Sequence, residues 1–248
     1  MQLTQSSIGS LVNSGTIMGN QTDSINSSGN YGGGILLTKT SSINTLTNTG
    51  LISGIATDSG VGVYVYNSSS ITTLTNSGTI SGLGRSTDGA GIAISDDSSI
   101  NTLTNTGLIS GSTSGGGDGT GANGVWLDYT SSITTLNNSG TISAVAANDS
   151  AFGVNLNSAN NTITTLTNTG MITGSITGAG VNAFGVRNDS GVITTFNNQQ
   201  TGLTYSGTLP DNYTTIIDDS GYGQLFVSNE AQAAAGATNY SPYAGSTG

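Results

Sequence analysis

The chain has no cysteine, no histidine, two prolines, one tryptophan and only three basic residues among 248. Each shortage removes a class of chemistry. Without thiol or imidazole there is no disulfide, no Ser-His-Asp or Cys-His nucleophile, no haem ligand and no zinc site of the usual kind. Thirteen acidic residues against three basic ones leave a formal net charge of −10. That balance repels phosphate and anionic lipid, so nucleic acid is excluded as a partner. No apolar run reaches the length of about 18 residues that a membrane-spanning helix needs. The opening Gln2-Leu3-Thr4-Gln5 lacks the basic start and apolar run of a signal peptide, so the expectation is a mature chain or a fragment of a longer one.

What is abundant is small and polar. Gly 39, Ser 36, Thr 39 and Asn 26 make up 140 of the 248 residues, which argues against an ordinary globular core. Disordered chains share this bias, but they are usually highly charged. Here only 6% of residues are charged, and the 33% that are hydrophobic recur at fixed positions. Periodic apolar positions imply a repeated, buried row.

Self-alignment gives seven copies of a 13-residue motif, clearest at Ser70 to Gly82: Ser-Ile-Thr-Thr-Leu-Thr-Asn-Ser-Gly-Thr-Ile-Ser-Gly. Its first isoleucine recurs at Ile8, Ile43, Ile71, Ile100, Ile133, Ile163 and Ile193, at intervals of 35, 28, 29, 33, 30 and 30. An asparagine keeps the same intervals at Asn13, Asn48, Asn76, Asn105, Asn138, Asn168 and Asn198, so length varies only outside the motif. A Gly-apolar-x-apolar block such as Gly62-Val63 or Gly124-Val125 closes each repeat. Period-2 alternation from Leu74 to Gly82 places Leu74, Asn76, Ile80 and Gly82 on one side and hydroxyls on the other, with Gly supplying a bend.

One such repeat buries too little to fold alone and must stack on its neighbours. The prediction is an all-β, right-handed parallel β-helix of about seven coils, roughly 34 Å long at the inter-strand spacing. Ile stacks on Ile, and the seven asparagines form a structural amide ladder. Residues 1–204 are assigned to the repeats and 205–248 to a C-terminal cap, linker or donated segment.

The Thr-Asn-Ser-Gly-Thr-Ile-Ser-Gly string and its Gly-Val-x-Val closure resemble the repetitive passenger domains of autotransporters, adhesin-like surface proteins of Gram-negative bacteria. The resemblance covers about Ser7 to Thr204. It extends to Leu209–Ile217 and Tyr222–Val227, which look like the end of such a domain. It implies a secreted or surface-displayed β-helix and a host or cell-surface glycan or protein as partner. Membrane contact would come only through a C-terminal barrel missing from this sequence.

Candidate sites are few. An outward column of the closing strand reads Leu36, Tyr64, Ala93, Trp126, Asn155 and Arg187. With Tyr66 and Tyr129 nearby, Tyr64 and Trp126 either form an exposed sugar or protein contact or lie covered by the variable loops. The adjacent acids Asp96-Asp97 and Asp218-Asp219 lack basic partners, since Lys39, Arg85 and Arg187 sit in different repeats. No catalysis is expected. The single run Gly115-Gly116-Gly117-Asp118-Gly119 resembles part of a calcium-binding repeat, but such sites need successive turns. The expectation is therefore no cofactor, with calcium near Asp118 as the alternative.

Thr-x-Thr pairs (Thr45 and Thr47, Thr73 and Thr75, Thr102 and Thr104, Thr165 and Thr167) resemble the ice-binding face of some antifreeze proteins, yet Thr is also simply a good outward strand residue. The column Leu51, Thr79, Leu108, Thr141 and Met171 is read as adjoining and disturbing this face. The leading expectation is a non-catalytic stalk or adhesin-like module. The alternative is a filament subunit stacked head to tail through open solenoid edges, and ice binding or polysaccharide cleavage follow.

Overall fold

Each repeat holds three short apolar pieces that gain buried surface only by lying on the same pieces of the next repeat. The computed structural model describes residues 1–21, 31–115, 121–180, 182–219, 221–228 and 239–242. Among these residues there is no helix; three parallel sheets stack into a β-solenoid.

Sheet B takes the first strand of every motif copy: Ser7–Asn13, Ser42–Asn48, Ser70–Asn76, Ser99–Asn105, Ser132–Asn138, Thr162–Asn168 and Val192–Asn198. It continues through Asn212–Thr215 and Asn239–Pro242. Sheet C takes the second: Thr16–Gln21, Leu51–Ala56, Thr79–Gly84, Leu108–Thr113, Thr141–Ala146 and Met171–Ile176. Sheet A takes the closing strands, from Tyr31–Thr38 and Ser59–Val65 to Ala183–Asn188. Leu203–Gly207 and Leu225–Val227 extend it, so the stack runs on past the last full repeat.

Register is one to one throughout. Ile71 pairs with Ile43 and Ile100, Leu74 with Leu46 and Leu103, and Ile80 with Ile52 and Ile109. These files, with Val63, Ile92 and Val125 from sheet A, form one core running the length of the stack, fully buried in the inner coils. Because neighbours are chemically identical, every coil satisfies the same packing demand as the coil above it.

The corners explain the glycines. Between sheets B and C the chain turns in two residues, and coils meet there backbone to backbone: a Cβ added at Gly107 would lie 2.2 Å from the Gly78 carbonyl oxygen. Between sheets A and B, successive residues adopt left-handed φ values, as at Asn67 and Ser68 (both 57°) and Asp96 and Asp97 (51° and 57°). Asn and Asp tolerate this region better than most residues. Most of the length variation falls at the third corner, between sheets C and A; the A–B corner varies by only a residue or so, and the B–C corner of the complete coils not at all. In a three-sided prism that corner lies opposite sheet B.

Two expectations change. Among the described residues six coils, not seven, have all three sides, because sheet C stops at Met171–Ile176. The seventh copy reads Asn198-Gln199-Gln200, with no glycine to make the B–C corner. Gln200 ends the sheet instead: its Oε1 accepts from the Ile172 N–H at 2.7 Å, and its Nε2 donates to the Ile172 carbonyl at 3.1 Å. A side-chain amide thus occupies the place of a strand. Second, the column Leu51, Thr79, Leu108, Thr141 and Met171 opens sheet C around the corner, so it does not interrupt the Thr ranks of sheet B.

Leu103→Ala removes a fully buried side chain from the middle of the stack and is expected to cost about 2–5 kcal/mol in equilibrium denaturation. Gly107→Ala must push two coils apart and is expected to cost at least as much.

Candidate functional site

The asparagine file is continuous. Asn13 Nδ2 donates to Asn48 Oδ1 at 2.7 Å, and the links Asn48–Asn76, Asn76–Asn105, Asn105–Asn138 and Asn138–Asn168 are each 2.8 Å. Asn168 donates to Asn198 at 3.1 Å. From Asn13 to Asn138 each amide also donates to a carbonyl two residues on in its own coil and to one in the next coil, as Asn76 does to Gly78 and Leu108, while Asn168 donates instead to Gln200 Oε1. Burial leaves these amides no water, so the ladder is where the B–C corner satisfies its polar groups. At the far end Asn198 Nδ2 is taken up by Tyr213 Oη and the Gln200 carbonyl. At the near end Asn13 Oδ1 accepts nothing among the described residues.

A second file follows the A–B corner. The Ser41 N–H donates to Ser69 Oγ and the Ser69 N–H to Ser98 Oγ, both at 3.1 Å. Both files point the same way, with the donor in the earlier coil and the acceptor in the later one.

The aromatic column is not an exposed surface. Tyr64 is 6% exposed and Trp126 8%, and they flank Ala93 in a small apolar cluster on the outer side of sheet A, with Val61 and Ala90. Tyr66 packs against that cluster from its margin, its ring 5.4 Å from that of Tyr64. Alternation places these side chains outward correctly, but outward is not the same as wet. Of the four aromatic candidates only Tyr129 is open, at 64%. It sits on the A–B corner with φ 48°, and its carbonyl accepts from Asn161 Nδ2 at 2.6 Å.

Farther along the same outer face, Arg187 is the only basic residue in an ion pair among the described residues, with Asp189. Its NH1 also donates to Asn157 Oδ1 at 3.0 Å and Asn155 Oδ1 at 3.3 Å, and the guanidinium lies 5.0 Å from the Phe152 ring centre. Phe152 and Phe184 lie nearly parallel, 6.4 Å apart. A cleft of about 240 Å³ opens beside them, lined also by Asn182 and Ser206. The clamp was not legible from the sequence, although Phe-Gly-Val at Phe152 and Phe184 in successive closing blocks was a usable signal.

Asp96 and Asp97 occupy the A–B corner two coils after Lys39, whereas Arg85 lies at the C–A corner. Asp218 accepts from Gln199 Nε2 and lies in a short antiparallel hairpin beyond the last coil. Among the described residues none of these acids forms an ion pair with a basic group. Asp118 lies outside the described residues, as does the 231–237 stretch of the expected cap. No protein-family model, no curated protein and no solved structure matches the chain.

Asn105→Ala leaves Asn138 without its amide donor and Asn76 without its side-chain acceptor. About 1–3 kcal/mol per orphaned buried group is expected. Asn101→Ala, exposed on the same strand, is expected to stay within about 0.5 kcal/mol. Denaturant midpoints for the two variants give the comparison; equal midpoints would remove the energetic role of the ladder.

Proposed function

We propose that this chain acts without catalysis as a rigid, secreted or surface-displayed module of the stalk or adhesin-like kind found in autotransporter passengers. The observation that carries this reading is the unbroken core with its asparagine file through every complete coil, joined in the first coils by the serine file. Stacked this way, a chain with no disulfide holds its shape through backbone ladders repeated in each coil. Just three basic residues in the whole sequence also leave few sites for trypsin-like proteases. Adhesive contact, with a cell-surface glycan or protein, is assigned to the C–A corner segments and to Tyr129. Antibody against the chain, applied to intact cells of the source organism, is expected to label their surface or the medium; signal only after permeabilisation would overturn the reading.

A second reading, a head-to-tail filament, is favoured by one feature. Ile8, Leu11 and Ile17 of the first coil, at the end that carries the open Asn13 Oδ1, are only partly buried, whereas Ile43, Leu46 and Ile52 of the next coil are fully buried. Purified protein is then expected to form rods of uniform width in negative stain, lengthening with concentration. Monodisperse particles at every concentration would discard it.

A further inference from the structure

We propose that the outer face of sheet B binds ice. The observations are the two-dimensional order of that face, the freedom of its hydroxyls and its partial exposure among the described residues.

Along the stack, Thr73 pairs with Thr45 and Thr102, and Thr75 with Thr47 and Thr104. The ranks continue through Thr135 and Thr165, and through Asn137 to Thr167. Beside them runs a more exposed rank that includes Thr72, Asn101 and Thr134. From the Ser42 coil to the Thr162 coil every outward position of these strands is Thr, Ser or Asn, and none carries a charge. The repeat is about 4.8 Å along the axis and about 6.6 Å between the two Thr of a pair. The axial repeat lies close to an oxygen spacing on the faces of ice, and the spacing within a pair is somewhat shorter than the next such spacing.

Regular spacing alone would not order water if the side chains moved. Thr is stiff at χ1 because it branches at Cβ. Here each one is also fixed by strands whose register does not slip. The hydroxyls of Thr73, Thr75, Thr102 and Thr104 make no hydrogen bond to other described residues, so they are free to take water, and the methyl groups flank each bound molecule on a half-exposed surface. An uncharged face avoids the tight, liquid-like hydration that Lys or Asp would impose. Water settling here meets a template already ordered, so the entropy lost in the protein is small.

Sheet C is the internal contrast. Its outward positions mix Leu51, Thr79, Leu108 and Met171 with Ser and Val, and no two-dimensional pattern results. Loop placement completes the case: most of the length variation leaves at the corner opposite sheet B, and the B–C border of the complete coils is a two-residue turn. Ice binding and adhesion use different surfaces, so either can hold without the other.

The test uses the 248-residue chain. Dilute protein is presented to a slowly growing ice front, and both its incorporation into ice and thermal hysteresis are measured. The native chain is expected to concentrate in the ice and to show hysteresis with faceted crystals. Thr102→Tyr, at the centre of the face, is expected to lose most of the hysteresis with unchanged circular dichroism, and Thr73→Tyr, in the neighbouring coil, to do the same. Ser110→Tyr, on the outer side of sheet C, is expected to keep it. Exclusion of natively folded protein from ice would overturn the proposal. So would an equal loss in Ser110→Tyr, because the effect would then not belong to sheet B.

Discussion

Everything in this molecule depends on coils lying in register on their own copies. A parallel sheet one side of a coil wide has no stability of its own; it acquires it only when Ile71 finds Ile43 on one side and Ile100 on the other. Slipping one strand by a single residue would turn the buried file outward and point Thr into the core. That penalty applies in every coil at once. The files of Asn and Ser add a polar condition to the apolar one, since a slipped coil also leaves buried amides unpaired.

The glycines follow from the same constraint. At the B–C corner the chain must pass close to the coil beneath it, and no side chain fits there. Where the glycine is replaced, in Asn198-Gln199-Gln200, the corner is not made and the third sheet ends. The same substitution provides the terminator, because the Gln200 amide presents to Ile172 the donor and acceptor that another strand would have offered. One change in the motif both withholds the next strand and closes the edge it leaves.

The stacked architecture was legible in the sequence because it is written many times over: seven isoleucines and seven asparagines at equal intervals constrain one another. Features written once were harder to see. Alternation identifies Tyr64 and Trp126 as outward but carries no information on what lies above them, and both are buried. Leu51 and Thr79 follow the motif directly in sequence, so linear reading placed them beside the Thr ranks; the glycine between makes them a different face. The Arg187 clamp joins residues from neighbouring coils that no single repeat displays.

The concentration of length variation at the C–A corner separates two kinds of change in this chain. Substitutions in the files are coupled to every coil they touch, whereas insertions at that corner alter neither register nor core. A lineage carrying this frame can therefore rewrite what it shows to the outside one coil at a time, at fixed axial intervals, while the scaffold behind stays the same. In that sense the solenoid is a rail, and the corner is where its cargo is mounted.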